Sequence, residues 1–459
     1  MSTILEETSR KVLEEYSART GRSAELHGRA RAYLPGGDTR TTVYFAPYPV
    51  YMERGEGCRL YDCDGNEYLD FQNNYTSLIH GHAHPAVTEA ARAEMGKGTI
   101  FGAPAQIQFV HAAHLCQRLP GLESVRYCNS GTEATLFALR AARAFTGRDL
   151  IIKMDGGYHG SHDTAEVNLT PDLETQGLPR PHVEWGVPAC TLDGVLIAPF
   201  NDLPAVEELL SSHPDQVAAL IVEPIMGAAG LLNPDPGYLQ GLKELTERFG
   251  ALLVFDEIIT FRLHQGGFQS REKIAPDLTT LGKIIGGGLP VGAFGGRREV
   301  MAVYDPTRKR FVGHGGTFNG NNVTLAAGLA TLELYDQEAA DRLNGLGERF
   351  RQGFAQALKS AGLRGRLSGQ GSLIGLHWGE EAPRDGRQSV AGAQAHAQLF
   401  RLLHLSLLNR GIHTAARGMY VLSTAMTEAE VDRAVEAVRD SLTVLRPVIE
   451  EGWPHLLAS

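Results

Sequence analysis

Between residues 76 and 330 the chain alternates helical stretches with short, uninterrupted apolar runs, and this texture constrains the fold more than any other feature. The runs are Ser124-Val-Arg-Tyr-Cys128, Leu150-Ile-Ile-Lys-Met154, Val217-Ala-Ala-Leu-Ile-Val222 and Ala251-Leu-Leu-Val-Phe255. A strand that is apolar at nearly every position is covered on both faces, the state of strands in parallel sheets flanked by helices. Outside this region the pattern changes. Residues 4–33 read as helix, ending before Pro35-Gly36-Gly37, and 43–71 holds short alternating runs with a hairpin signal at Asp64-Gly65. From Leu334 the chain is helical again with a few strands, and Thr427-Glu428-Ala429-Glu430 is a capping box opening a helix over 427–447. The expected layout is an α/β large domain over 76–333, with a mostly parallel sheet and helices on both faces. A small α+β domain is built from both chain ends, 1–75 and 334–459.

Charge and cysteine usage exclude several function classes. Lys and Arg number 43 against 53 Asp and Glu, a net −10 with no basic cluster, which is the reverse of a nucleic-acid binder. No apolar stretch approaches the roughly 20 residues of a membrane span. The first residues, MSTILEETSRKVLEEY, carry acids instead of an apolar signal core. The five cysteines are odd in number and scattered without a CxxC pair, which argues against a disulfide framework or a metal site. A cytoplasmic protein without nucleic-acid or membrane partners is expected.

Chemistry is concentrated where the apolar runs stop. They end at Asp155, Glu223 and Asp256-Glu257, and ligands of open parallel sheets lie outside the carboxyl ends of the strands. Acids at such places also cap the following helix. The run 124–128 passes into Asn129-Ser130-Gly131-Thr132-Glu133 and then a helix over 134–145. A small, hydroxyl-bearing turn at a helix N-terminus suits a phosphate, although a plain N-cap has the same composition. The sharpest element is Leu281-Gly282-Lys283-Ile284-Ile285-Gly286-Gly287-Gly288. A lysine between glycine and an apolar pair is poorly suited to a solvated face, and desolvation turns it toward an amine nucleophile able to form a Schiff base. The triple glycine is not a dinucleotide loop, because GxGxxG is absent. A phosphate cup, a Schiff-base lysine and a buried aspartate against a pyridinium are together what pyridoxal 5′-phosphate (PLP) requires. Asp256 is the candidate ring-nitrogen partner, with Tyr158 and Ile258 covering the two ring faces.

The ordered set Pro35-Gly36-Gly37, Asn129-Ser-Gly-Thr-Glu-Ala134, Gly157-Tyr158-His159-Gly160, Val222-Glu223-Pro224, Phe255-Asp256-Glu257, Leu281–Gly288 and His314-Gly-Gly-Thr317-Phe318 resembles the class III (ω-type) aminotransferases of PLP fold type I. The resemblance runs from about Pro35 to Val444 and is strongest to the glutamate-1-semialdehyde aminomutase-like branch. It implies that Lys283 binds the cofactor covalently and moves the proton during amino transfer. It also implies that Asp256 meets the ring nitrogen, that Tyr158 stacks on the ring, and that Ser130, Gly131 and Thr132 hold the phosphate. Glu223 matches a glutamate near the ring. Thr317 is similar to the threonine that reaches the phosphate of the neighbouring subunit, implying a homodimer. One departure is Asp256-Glu-Ile-Ile-Thr-Phe-Arg262, where the family often has a glycine between Thr260 and the aromatic; it bears on the shape of that loop.

For the substrate, the segment Pro35-Gly36-Gly37-Asp38-Thr39-Arg40 places an arginine earlier than the aminomutase pattern does. Aminotransferases acting on β-amino acids such as β-phenylalanine resemble this arrangement, with an aromatic stretch like Val43-Tyr44-Phe45 following. They carry a second arginine in a C-terminal strand-loop, where Arg417 stands here. Each partner of a ping-pong cycle brings one carboxylate, which a bidentate arginine can fix; both residues also fit ordinary surface arginines. The expectation is an aminotransferase moving the amino group of a β-phenylalanine-like donor to a keto acid such as 2-oxoglutarate or pyruvate. Glutamate-1-semialdehyde 2,1-aminomutase is the alternative, and a non-catalytic PLP-binding regulator a remote one.

Overall fold

The structure, a computed structural model, describes residues 3–175 and 177–458. The chain divides into two compact units, one of Met1–His84, Arg342–Ala382 and Gly392–Ser459, the other of Pro85–Asp341 and Pro383–Ala391.

The second unit, hereafter the large unit, is organised by a seven-stranded sheet: β1 Ser124–Cys128, β2 Leu150–Met154, β3 Val195–Ala198, β4 Val217–Val222, β5 Leu252–Asp256, β6 Leu278–Gly282 and β7 Gly292–Gly296. Their spatial order is β1-β7-β6-β5-β4-β2-β3. Five of them, β3, β2, β4, β5 and β6, pair in parallel, whereas β7 runs antiparallel to both neighbours. The apolar runs become the strands because both faces are covered: every residue of β4, β5 and β6 is buried. The antiparallel β7 has no apolar signature, since its Gly-Ala-Phe-Gly-Gly sequence answers a steric demand. A Cβ at Gly292 would stand 2.0 Å from the Ser130 carbonyl oxygen, so only glycine lets β7 lie against the turn that follows β1. The helix Gly131–Thr146 packs small residues (Ala134, Ala138, Ala141, Ala142) into the same core as Ile151, Ala219 and Val254.

The first unit, the small unit, opens on two helices, Thr3–Arg19 and Gly21–Ala30, where the sequence suggested one. The break falls at buried Thr20, whose hydroxyl bonds back to the Tyr16 carbonyl at 2.7 Å; with Gly21 following, the helix restarts. The expected hairpin joins Arg59–Asp62 to Glu67–Asp70, and its tip residue Asp64 accepts the Arg22 and Ser23 amides at 2.6 and 3.0 Å, capping the second helix. Ile412–His413 extends this sheet in parallel with Glu67–Asp70. A second sheet contains Gly365–Ser368, Leu373–Trp378 and Met419–Val421. The C-terminal helix runs Glu428–Gly452, passing beyond Pro447. Its capping box is present: the Thr427 amide donates to Glu430 at 2.9 Å, and the Thr427 hydroxyl accepts from the Ala429 amide at 3.3 Å. Thr427→Ala is expected to cost about 1 kcal/mol of stability, read as a lowered midpoint in chemical denaturation. Among the described residues, no helix is long and apolar enough to cross a membrane.

Candidate active site

The carboxyl ends of the parallel strands carry the groups that the sequence singles out. Asp256 closes β5 and is buried. One carboxylate oxygen, Oδ1, accepts from the Thr280 hydroxyl (3.1 Å) and the Ile258 amide (3.2 Å). The other, Oδ2, lies 2.8 Å from Nδ1 of buried His159. The carboxylate is thereby held in one orientation from three sides. His159 stands inside the Gly157–Gly160 motif, where its sequence context assigns it no role. Nothing in a Gly-Tyr-His-Gly string announces a partner 97 positions away. Its Nε2 is buried without a hydrogen-bond partner among the described residues.

Glu223 follows β4 and is also buried; it accepts the Tyr158 amide at 3.1 Å and the Gly227 amide at 2.9 Å. Burial raises its pKa, His159 opposes the rise, and Asp256 adds to it. The neighbouring acids do other work. Asp155 bonds Asn168 (2.9 Å) and Arg387 (3.1 Å). Glu257 collects the Phe268 and Gln269 amides at 2.6 and 2.9 Å together with the Thr260 hydroxyl at 3.1 Å. That last bond folds the departing segment into a short helix, Thr260–Leu263, with Arg262 fully buried. Asp256 keeps its place at the end of β5.

Lys283 follows β6 with φ +52°, in the left-handed region that a lysine enters only when its surroundings impose it. Desolvation lowers its pKa, and the charges of Asp256 and Glu223 counter this. A second buried lysine provides a contrast. Lys153, on β2, is pushed down to about 8 by burial, but its ammonium donates to the Ala165 and Val167 carbonyls at 2.6 Å each. Its donors are used; Lys283 has no hydrogen-bond partner among the described residues. Burial alone does not mark a reactive lysine. An unengaged amine within the field of two buried carboxylates does.

At the end of β1, Ser130 caps the helix Gly131–Thr146 by accepting the Glu133 amide at 3.2 Å. Thr132 accepts the Ser161 amide at 3.2 Å. The first-turn amides of this helix are the donors an anion would use. Ile258 lies against the same turn, since a Cβ on Gly131 would stand 2.7 Å from its Cδ1 and one on Gly282 would stand 3.6 Å from its Cγ2. The turn, the isoleucine and the lysine strand therefore meet. Tyr158 is 40% exposed. Thr317 is exposed on a loop whose next residue but one, Asn319, accepts from the Asn129 side chain at 2.8 Å. Among the described residues, no cluster of three or more His, Cys, Asp or Glu could hold a metal ion.

The small unit holds the two arginines. Both are exposed. Arg40 donates to the Asn74 side-chain amide oxygen, Oδ1, at 2.9 Å. Burial pushes the Tyr75 phenol up while Arg417 and Arg40 both pull it down, so one hydroxyl lies within electrostatic reach of both guanidinium groups. Tyr75 also donates to the Thr42 carbonyl. No sequence pattern marks Tyr75, because it reaches this position through a backbone conformation, φ +51°, that tyrosine rarely adopts.

The family model for aminotransferase class III matches residues 43–442. The chain belongs to the class III aminotransferases. An ω-transaminase from Sphaerobacter thermophilus is 44% identical, over 92% of this chain and 98% of that one, with a TM-score of 0.90. A β-phenylalanine aminotransferase from Variovorax paradoxus is 35% identical over 99% of each chain, TM-score 0.86. A glutamate-1-semialdehyde aminomutase from Pseudomonas aeruginosa is 28% identical over 96% of this chain and 98% of that one, TM-score 0.88. This class III aminotransferase is a PLP enzyme of fold type I. Its residues fit the cofactor: an amine without a hydrogen-bond partner among the described residues, a buried carboxylate with fixed orientation, and a helix N-terminus for the phosphate.

Proposed function

We propose that this aminotransferase moves the amino group of a β-amino acid resembling β-phenylalanine to a keto acid such as 2-oxoglutarate or pyruvate, in two half-reactions. The observation that carries this reading is the pair Arg40 and Arg417 on segments tied to the same stretch of chain: Arg40 donates to the Asn74 side chain at 2.9 Å, and Phe71 and Asn73 bond to His413 and Val421 on either side of Arg417. Two half-reactions bring two carboxylates, and guanidinium groups bind these bidentately. The 35% identity to a β-phenylalanine aminotransferase supports the same reading, against 28% for the aminomutase.

When bound, PLP supplies an aldehyde that condenses with amines and a ring that takes up the electron pair left by a departing proton. Lys283 holds the cofactor between cycles, and its Nζ carries the proton to and from the amine-bearing carbon of the substrate. Asp256, oriented by His159, keeps the proton on the ring nitrogen. Tyr158 and Ile258 cover the ring faces, and Glu223 stands near the ring. Ser130, Gly131 and Thr132 bind the phosphate, with Thr317 of a second copy completing that site in a homodimer. The exposure of Thr317 beside Phe318, itself 59% exposed, supports a covering copy. The scattered, odd cysteine count favours a reducing, cytoplasmic setting.

The experiment that tests this removes one arginine. Arg40→Ala is expected to lose charge-assisted bonds worth roughly 1.5–3 kcal/mol, about 10- to 150-fold in kcat/KM for β-phenylalanine. A matched amine without the carboxylate is spared. Arg417→Ala weakens the keto-acid half-reaction most. Equal damage to carboxylated and uncarboxylated amines sinks the β-amino acid reading. Efficient conversion of glutamate-1-semialdehyde with no added acceptor makes the enzyme an aminomutase instead.

A further inference from the structure

The small unit contains a backbone feature that the amino-transfer reading does not use. Asn73, Asn74, Tyr75 and Thr76 have φ of +49°, +46°, +51° and +77°. Four successive L-residues there make one turn of left-handed helix, opposed at each step by contact between Cβ and the carbonyl oxygen. Such a turn persists only where its surroundings fix it, and the fixing group is buried Asp70. Oδ1 of Asp70 accepts the Gln72 and Asn73 amides at 2.9 Å each, and its backbone carbonyl accepts from the Asn73 side chain at 3.0 Å. The carboxylate is itself held by His82 Nε2 (2.7 Å) and His413 Nδ1 (3.3 Å).

The turn is tied to both arginine segments. On one side Asn74 accepts from Arg40 at 2.9 Å, and Tyr75 donates to Thr42. On the other, the Phe71 amide donates to the His413 carbonyl (2.8 Å), the Val421 amide to the Phe71 carbonyl (2.7 Å), and the Asn73 side chain to the Val421 carbonyl (2.8 Å). His413 and Val421 bracket the loop that carries Arg417. We infer that Asp70 is a positioning residue: by locking the left-handed turn it sets the spacing of Arg40, Tyr75 and Arg417, and so tunes recognition of both carboxylate substrates together. The inference rests on the carboxylate reading of the two arginines.

The test uses holoenzyme and single half-reactions with β-phenylalanine, 2-oxoglutarate and the carboxylate-free 1-phenylethylamine. In Asp70→Ala the half-saturating concentrations of both carboxylate substrates are expected to rise about 10-fold or more, while limiting rates and the 1-phenylethylamine reaction stay within about twofold. Asp70→Asn, which retains an oxygen for the Gln72 and Asn73 amides, recovers most of the loss. If Asp70→Ala does not fold, Asn73→Gly takes its place, since glycine accepts the left-handed backbone and keeps its amide on Asp70 Oδ1 yet loses the side-chain ties to the Asp70 and Val421 carbonyls; the same joint loss at smaller size supports the inference. Equal losses on all three substrates, or a loss confined to one carboxylate, overturn it. Arg40→Ala and Arg417→Ala run in parallel separate the two readings. If these spare the carboxylate substrates, the arginine reading has failed; if they discriminate and the Asp70 and Asn73 variants do not, positioning alone has failed.

Discussion

Lys283→Ala is expected to abolish turnover while leaving a folded protein that still takes up PLP through its phosphate end. The lysine makes no hydrogen bond that folding depends on, among the described residues, and its backbone is held at φ +52°, which alanine tolerates no worse than lysine. On the proposed roles, removing the side chain deletes both the amine that holds the cofactor and the group that moves the proton, and general acid–base catalysis alone is worth about 10²–10⁴-fold. Steady-state rates with β-phenylalanine and 2-oxoglutarate, set beside the visible absorbance of bound cofactor, check this. A variant retaining wild-type rates removes Lys283 from catalysis.

Asp256→Asn has the next largest expected effect. Asparagine keeps an oxygen for the Thr280 hydroxyl and the Ile258 amide, and its amide can donate to His159 if the imidazole changes tautomer. The fold is therefore preserved while the charge is lost. An amide does not keep the ring nitrogen protonated, so a loss of roughly 3 kcal/mol in transition-state stabilisation is expected, about 10²-fold or more in rate. Single-turnover rates measure it directly. A variant within about threefold of wild type leaves Asp256 without its role.

What the sequence reveals and what it hides follow from locality. Strands β2, β4 and β5 are legible because burial on both faces leaves no polar positions except at functional or anchored side chains. Strands β6 and β7 are not: the β6 threonines answer distant side chains, Thr279 accepting from Gln269 and Thr280 donating to Asp256, while the Gly-Ala-Phe-Gly-Gly run of β7 is selected by close backbone approach, both long-range demands. The motif residues Lys283 and Asp256 can be found because their types are rare in such apolar settings. His159, by contrast, becomes meaningful only once β5 brings Asp256 within 2.8 Å. The acids after strands show the same limit. Glu257 adjoins Asp256, yet four hydrogen bonds from Thr260, Phe268 and Gln269 absorb it. No spacing rule distinguishes the two; the direction each side chain leaves the strand does. Nor does any pattern mark the return of Pro383–Ala391 to the large unit, which Arg387 secures through Asp155.

The left-handed turn has a consequence for anyone who mutagenises this enzyme. At Tyr75, φ +51° penalises most side chains with a Cβ by about 1–2 kcal/mol, a penalty that asparagine eases by local hydrogen bonding and glycine escapes. Replacing Tyr75 by glycine thus relaxes the backbone while discarding the phenol. A library at this position sorted by thermal tolerance will enrich glycine and asparagine, whereas one sorted by turnover of carboxylated amines will retain tyrosine. The two screens diverge at a single codon, and a variant collection built on heat resistance alone will drift toward enzymes that have lost their preference among amines.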